Sequence, residues 1–325
     1  MLARDVNKIG AFLKVLIHRD IQDSVTLTVA KCAQLNTSPQ EPDFIASMVL
    51  NFTPRLYRTL RDLFPDTKFS VTGIFCHQKP IVNIGASKNP ELGDLLFVYI
   101  HTDARGAKRY NSLLFQAKIS RNVNTGVSPS DQHQLKLYAE WPVFTYLRAG
   151  KLNGQKRNVL PKTIHDGAQY LLIDDEPETG LAGREDTFPM GCATPADLLC
   201  LNVDLATELV DFLKFKAGRA FEALSDQTED DWTKMIWEML DILKHKASRR
   251  NNIGISNFPR ITTQEADGLC FSKSDWNITS FFQELQEELR YSGNSGNNDR
   301  YFEREERNDG APSLILIESS EGREG

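Results

Sequence analysis

The stretch ELGDLLFVYIHTDARGAKRYNSLLFQAK, residues 91–118, decides the fold of this chain. It contains one short apolar run, residues 95–100, and leads into a second, residues 112–119, after a polar segment with Gly106. Short and nearly unbroken apolar runs are typical of buried β-strands. The pattern therefore predicts two neighbouring antiparallel strands joined by a long hairpin loop.

Polar side chains interrupt this apolar pattern at three positions. Asp94 precedes the first run, and Gln116 and Lys118 lie within the second. Gln116 and Lys118 are two positions apart, so on a strand they point to the same face. Burying such groups among apolar residues is unfavourable unless they are paired or bind a metal ion. We therefore expect the three side chains to meet at one end of the strand pair.

These residue types are the ones that phosphodiester hydrolysis requires. A divalent cation such as Mg²⁺ or Mn²⁺ prefers oxygen ligands, which Asp94, the Gln116 amide and the Ala117 backbone carbonyl can supply. The ion would polarise the scissile phosphate and lower the pKa of a bound water. Lys118 would orient that water or stabilise the charge on phosphorus. The pattern predicts a metal-dependent hydrolase.

Residues 91–94 (ELGD) followed by 116–118 (QAK) resemble the signature of the restriction-endonuclease-like PD-(D/E)xK nuclease superfamily, in its QxK variant. The resemblance covers roughly residues 40–150. It implies an α/β fold, with a mixed sheet flanked by helices and the site at the sheet edge. It also implies a Mg²⁺-dependent endonuclease acting on DNA, of the kind found in bacterial anti-phage or anti-plasmid defence.

One departure from the family pattern concerns charge. Gln116 is neutral, so the predicted metal site lacks one negative charge, and a further carboxylate would help to bind the ion. Glu91 and Glu41 are equally good candidates for that carboxylate. The missing acid also favours an alternative, a catalytically inactive protein that keeps the fold for binding or scaffolding. A nuclease directed at RNA is a further alternative.

Other residues are candidates for contacts with the nucleic acid. They are polar or basic and either flank the predicted strands or begin the helix that follows them: His77, Lys79, Arg121, Gln132, Gln134 and Lys136. Basic side chains in this region fit a groove that follows a phosphate backbone. Each also has a structural interpretation, as part of a turn, a helix start or a solvated face.

Outward from this stretch, the chain divides into two predicted portions. Residues 1–175 are expected to form the nuclease core and residues 176–325 a mainly helical portion. Apolar residues at helical spacing predict helices at 4–19, 43–64, 132–141, 195–223, 229–247 and 276–290. Pro54 predicts a break in the second of these helices. The polar composition of 291–312 predicts a flexible segment, and 313–318 (SLILIE) predicts a terminal strand.

The composition is that of a globular protein, with 40% apolar residues and a net charge of −6. An acidic total does not exclude nucleic-acid binding, since phosphate contacts need only a locally basic surface. The five cysteines lack the spacing of a zinc site, which indicates reduced thiols. No signal peptide or bilayer-length apolar run is present. We therefore expect a cytoplasmic protein without membrane contact, whose candidate partners are DNA and a second copy or separate subunit.

Overall fold

A large mixed β-sheet covered by helices forms the body of the molecule. The computed structural model describes residues 2–77, 80–176, 188–244, 261–262, 267–268, 270–275, 278, 280–282 and 310–321. The helices are α1 (Leu2–Gln34), α2 (Glu41–Ser47), α3 (Thr53–Leu63), α4 (Gln132–Glu140), α5 (Leu205–Leu213) and α6 (Asp231–Leu243). Short 3₁₀ turns lie at Pro129–Asp131 and Gly150–Leu152.

The strands span both halves of the chain. They are β1 (Thr67–Ile74), β2 (Val82–Asn83), β3 (Leu95–Thr102), β4 (Lys108–Ile119), β5 (Asn124–Gly126), β6 (Phe144–Tyr146), β7 (Lys156–Arg157), β8 (Ala168–Ile173), β9 (Met190–Ala193), β10 (Leu198–Asp204), β11 (Arg219–Phe221), β12 (Ile261–Thr262), β13 (Asp267–Gly268), β14 (Cys270–Ser274) and β15 (Ser313–Glu321). In the large sheet their order is β14-β1-β15-β3-β4-β8-β9-β10-β5, with β11 beside β4.

The predicted antiparallel pair is confirmed as β3 and β4, but the long loop is wrong, because β4 already begins at Lys108 and only residues 103–107 connect the strands. The two strands are antiparallel, with Leu95 opposite Phe115 and Thr102 opposite Lys108. On its other side β4 pairs in parallel with β8. Because β3 and β4 have neighbours on both edges, this hairpin lies in the interior of the sheet, as its apolar runs predict.

Alternate residues of β3 enter two separate hydrophobic cores. Leu96 and Val98 join the core that includes residues of α4 and α6. Phe97 and Tyr99 join the core that includes residues of α1, α2, α3 and α5. Since successive side chains of a strand point to opposite faces, the sheet carries helices on both faces. The predicted α/β class, a mixed sheet flanked by helices, is confirmed at this level.

The helix predicted over 43–64 is interrupted before Pro54. A π-helical turn, Met48–Phe52, separates α2 from α3, and Pro54 lies in the first turn of α3. Ser47, Met48, Phe52 and Thr53 all keep right-handed helical backbone angles, so the helix continues through the π turn. The predicted interruption at Pro54 therefore takes the form of a π turn, a common adjustment around a proline that removes one helical hydrogen bond.

The predicted helix over 195–223 is wrong. This segment forms β10, then α5, then β11. Along β10, Leu199 and Leu201 are buried whereas Leu198 and Cys200 are exposed, which is the two-residue period of a strand. Leucines at adjacent positions also satisfy a helical pattern, so periodicity alone does not separate the two structures here. The helix begins at α5, where Asp204 accepts a hydrogen bond from the Thr207 N–H over 3.0 Å.

The expectation of a mainly helical C-terminal portion is also wrong for the described residues. That portion contributes α5 and α6, and it adds β9, β10, β11, β14 and β15 to the large sheet. The predicted terminal strand is confirmed as β15, which lies between β1 and β3 and runs parallel to β3. Residues on both sides of the predicted boundary therefore share one sheet.

Some predicted features fall outside the described residues. They are Lys79, most of the predicted helix over 276–290, and residues 291–309 of the segment predicted to be flexible. Residues 310–312 are described and lead directly into β15. In the part of the chain that is described, no helix has both the length and the apolar character needed to cross a bilayer.

Candidate active site

Asp94 is held at the start of β3 by its own backbone. Its N–H donates to the Phe115 carbonyl on β4 over 2.8 Å, and its carbonyl accepts from the Ser313 N–H on β15 over 2.9 Å. Hydrogen bonds to both neighbouring strands fix the residue more firmly than a turn would. The position of Asp94 is therefore set by the centre of the sheet.

The side chains of Asp94 and Gln116 are in direct contact. Gln116 Nε2 donates to Asp94 Oδ2 over 2.5 Å, and the Ala117 N–H donates to the same oxygen over 2.7 Å. Gln116 is only 5% exposed. The structure thus brings together two of the three residues that the sequence predicts to meet, in a largely buried environment.

The side-chain carbonyl oxygen of Gln116 is available as a ligand for a divalent cation. Oε1 is buried and accepts no hydrogen bond from the described residues. A buried oxygen without a partner is unfavourable, and an amide oxygen is a ligand type that Mg²⁺ accepts. Within the same residues, no three acidic, histidine or cysteine side chains surround one point. A cation here would therefore depend on amide and backbone oxygens as well as on Asp94, and this oxygen-only donor set suits Mg²⁺ or Mn²⁺.

Two further acids act on Asp94. Burial and the negative charge of Glu91 raise the pKa of Asp94 to about 7, and Glu41 adds to this rise. The Ala117 N–H and the positive charge of Lys118 oppose it. Burial also raises the pKa of Glu91, against the charge of Lys118. Both candidate third acids thus influence Asp94, Glu91 more strongly, and a bound cation would relieve the repulsion among the three carboxylates.

Lys118 forms an ion pair with Asp131. Its Nζ lies 2.6 Å from Asp131 Oδ2, and the two side chains are 22% and 27% exposed. Asp131 ends the 3₁₀ turn Pro129–Asp131, directly before α4. Ser128 Oγ donates to the same carboxylate oxygen over 3.0 Å. Lys118 is therefore anchored to the start of α4 and stays close enough to influence Asp94 electrostatically.

Helix α4 is also tied to the segment that carries the acids. The Tyr138 hydroxyl donates to the Leu92 carbonyl over 2.9 Å, and both residues are buried. Leu92 lies between Glu91 and Asp94 in the chain. Burial, followed by the charge of Asp94, raises the pKa of Tyr138. The helix thus contacts the site through Tyr138 as well as through the turn that holds Lys118.

Two more buried polar atoms, one on α4 and one on β8, have no hydrogen-bond partner among the described residues. They are Gln134 Oε1 on α4 and the Tyr170 hydroxyl on β8, and both atoms are buried. Tyr170 lies opposite Gln116 in the β4–β8 register. Burial and the charges of Asp131 and Asp94 raise the pKa of Tyr170. Unpartnered polar atoms cluster at sites where water, an ion or a substrate supplies the missing bond.

Of the three lysine and arginine residues predicted to contact nucleic acid, the two that are described, Arg121 and Lys136, lie in ion pairs. Arg121 donates to Asp175 over 2.7 Å and also pairs with Glu176 at 2.7 Å. Lys136 is exposed on α4, with its Nζ 4.0 Å from Glu140. The Lys136 pair is exposed and weak, so a phosphate could displace Glu140. Arg121 is held by two hydrogen bonds to Asp175 and by Glu176, so a phosphate would have to compete with both acids.

Two polar candidates lie at the edges of the site region. Gln132 is exposed at the start of α4, and its Nε2 donates to the Val127 carbonyl over 3.4 Å. His77 is half-buried after β1, with its ring stacked on Phe75 at 6.3 Å between centroids. The structure gives neither residue a contact with Asp94 or Gln116.

Asp131 and Tyr170 are not among the site residues that the sequence predicts. Asp131 stands just before a predicted helix, where an aspartate is expected to act as a helix cap. Tyr170 lies in an apolar run that reads as core. Asp131 could have been found as an acid that follows Lys118 by 13 positions and can pair with it. Tyr170 could not have been found, because its proximity depends on the pairing of β4 with β8, which local sequence does not encode.

Comparisons with protein-family models, with characterised proteins and with solved structures gave no significant match. The function of the protein is therefore inferred from the residues and geometry of the site.

Proposed function

We propose that this protein is a metal-dependent nuclease that hydrolyses phosphodiester bonds in DNA. The observation that carries the proposal is the buried contact between Asp94 and Gln116, in which Gln116 Oε1 has no hydrogen-bond partner among the described residues. The two residues stand at the positions that metal ligands occupy in the nuclease signature that residues 91–118 resemble. A core of the restriction-endonuclease-like kind is part of the same proposal.

The residues proposed to hold Mg²⁺ or Mn²⁺ are Asp94, Gln116 and the Ala117 carbonyl, with Glu91 or Glu41 as a further acid. When bound, such an ion polarises a phosphate oxygen and lowers the pKa of a water ligand. Asp94 has to be ionised to act as a ligand, and its pKa of about 7 makes this sensitive to pH. Of the two further acids, Glu91 has the larger influence on Asp94.

Lys118 is proposed to stabilise negative charge on the phosphate in the transition state. Its ammonium group is half-buried and held in one direction by Asp131, which limits the reorganisation needed during the reaction. Tyr170 and Gln134 have buried polar atoms that could hold the attacking water or a phosphate oxygen. These chain residues would then orient the substrate while the acids hold the cation.

The cellular setting is part of the proposal. The signature implies a defence nuclease acting on phage or plasmid DNA in the bacterial cytoplasm. None of the five cysteines, all of which lie in the described part of the chain, forms a disulfide, and four of them are buried. Free thiols are usual in a reducing compartment. This observation supports a cytoplasmic location and leaves the biological target to experiment.

The test measures cleavage of supercoiled plasmid DNA in two parallel reactions. One contains Mg²⁺ or Mn²⁺, and the other contains the same ion together with an excess of chelator. We expect nicked or linear product from the wild type, and its loss in Asp94→Asn and in Lys118→Met. Lys68→Met, at an exposed position of β1, serves as the matched control and should cleave normally. Equal cleavage by the wild type and both site variants would contradict the proposal.

The same variants separate the alternatives. Faster cleavage of a matched RNA than of DNA would redirect the proposal to an RNA nuclease. A wild type that neither cleaves nucleic acid nor binds Mn²⁺ in calorimetry would instead favour a binding or scaffold protein. That second candidate is favoured by the neutral Gln116 and by the lack of three convergent acidic, histidine or cysteine side chains among the described residues.

A further inference from the structure

Lys118 is a flexible cation placed beside the carboxylates that are proposed to bind a metal ion. Lys118 lies two residues after Gln116 on β4, so the two side chains share a face of the sheet, and Gln116 contacts Asp94 directly. The charge of Lys118 also acts on both Asp94 and Glu91. A lysine side chain has four rotatable bonds and can reach several acceptors. An ammonium bonded to Asp94 or Glu91 would occupy a carboxylate that the cation needs. The site therefore requires something to hold Lys118 elsewhere.

We propose that Asp131 is a positioning residue that holds Lys118 away from Asp94 and Glu91 and so keeps these carboxylates available to a divalent cation. This inference rests on the proposed function. Its basis is the 2.6 Å contact between Lys118 Nζ and Asp131 Oδ2.

The structure gives Asp131 the support that such a role requires. Ser128 Oγ donates to Asp131 Oδ2, and Ser130 Oγ approaches the other carboxylate oxygen, Oδ1, at 3.4 Å. The turn leads into α4, which is fixed at the site by the hydrogen bond from Tyr138 to Leu92. Asp131 therefore stands on an element anchored at two points. A carboxylate held in this way can direct a flexible lysine.

The charge state of Asp131 also suits the role. Burial raises the pKa of Asp131, but the hydrogen bond and charge of Lys118 outweigh this, with help from Ser128, so the net pKa lies below its ordinary value. Asp131 is thus favoured in its charged form, as its 2.6 Å contact with the Lys118 ammonium requires.

The test is a double-mutant cycle read out by Mn²⁺ affinity, measured by calorimetry or electron paramagnetic resonance at about pH 8, where Asp94 is ionised. We expect Asp131→Asn to weaken Mn²⁺ binding about tenfold or more, the range seen when residues that orient metal ligands are lost. In the Lys118→Met background, the same substitution should have little effect, because no ammonium is left to compete.

A purely electrostatic or structural role predicts a different result. Loss of one negative charge would weaken Mn²⁺ binding equally in both backgrounds, and such additivity would overturn the inference. Thermal melting of each variant shows whether the fold is retained, and Asp131→Glu, which keeps the charge, should restore much of the affinity. A matched cycle at the ion pair of Lys151 with Asp241, on the surface of α6, should leave Mn²⁺ affinity unchanged.

The failure of the inference can be distinguished from the failure of the proposed function. A wild type that binds Mn²⁺ but shows an additive cycle keeps the nuclease proposal and removes the role of Asp131. A wild type that binds Mn²⁺ with a coupled cycle, yet cleaves neither DNA nor RNA, keeps the role of Asp131 and removes the nuclease. Absence of Mn²⁺ binding to the wild type overturns both.

Discussion

Gln116 donates its amide hydrogen to Asp94 at 2.5 Å, in the position where the nuclease signature usually has a second acid. An acid at this position would face Asp94 with a like charge and would lose the hydrogen bond. In the absence of a cation, the glutamine therefore makes the site more stable, at the expense of one metal-binding charge. Both effects, on the unfolding free energy without a cation and on the affinity for the cation, can be measured.

The first prediction concerns Gln116→Glu. Without a divalent cation at about pH 8, we expect this variant to lose about 1–3 kcal/mol of unfolding free energy, because a buried hydrogen bond is replaced by repulsion. Adding Mn²⁺ should stabilise the variant more than the wild type, since the cation binds the folded state with one more charge. Urea unfolding with and without Mn²⁺ measures both effects. Equal stabilisation by Mn²⁺ in the two proteins would count against a cation site here.

The second prediction follows from the raised pKa of Asp94. Its folded-state pKa is about 7 against an ordinary value of 3.8, so the folded protein holds this proton more tightly than the unfolded chain does. The contribution of Asp94 to stability is therefore full below about pH 4 and is lost as the pH rises through about 7. The Asp94→Asn variant has no ionisable group at this position, so its unfolding free energy should not fall for this reason as the pH rises. We expect its stability relative to the wild type to improve between about pH 5 and about pH 8, measured by urea unfolding without metal. A constant difference would show that the Asp94 pKa is not raised.

The site was predictable to the extent that it depends on strand periodicity. Asp94, Gln116 and Lys118 interrupt or flank two apolar runs, and the β3–β4 hairpin is formed by neighbouring segments of the chain. The positions of Glu41 and Tyr170 near these residues depend on α2 and β8, which are brought in by tertiary packing. For this reason the sequence left the choice between Glu41 and Glu91 open, whereas the structure gives Glu91 the larger effect on Asp94.

The prediction of the fold succeeded where either the helical or the strand pattern was dominant. It failed where one segment fits both patterns. The apolar stripe of α6 follows helical spacing, and residues 314–317 are a short apolar run within the strand predicted over 313–318, so both elements were found. In β10, adjacent leucines fit a helix as well as a strand, and the sheet partners β9 and β5 decide the outcome. The central place of β15 between β1 and β3 is a long-range pairing that no local pattern encodes.

The third prediction concerns Tyr138→Phe. This change removes the hydroxyl that donates to Leu92 and leaves a buried carbonyl without its partner. We expect a loss of about 1–3 kcal/mol of unfolding free energy. Plasmid cleavage should fall as well, because Leu92 lies between Glu91 and Asp94. Tyr110→Phe, at a half-buried tyrosine on β4, is the control and should change both quantities less. Identical effects of the two substitutions would contradict a stabilising hydrogen bond between Tyr138 of α4 and Leu92.

The fourth prediction concerns the packing of the π turn Met48–Phe52 on the sheet. A Cβ placed on Gly73 of β1 would lie 2.7 Å from the Val49 carbonyl oxygen, which is backbone and cannot rotate away. Gly73→Ala therefore forces the turn to move and should cost about 1–3 kcal/mol of unfolding free energy, as overpacking of a core does. Gly126→Ala is the matched control on β5, since an added Cβ there meets nothing within 4 Å. We expect that control to stay within about 0.5 kcal/mol of the wild type in urea unfolding. If Gly73→Ala were as stable as Gly126→Ala, the close approach of α2 and α3 to β1 through the π turn would be wrong.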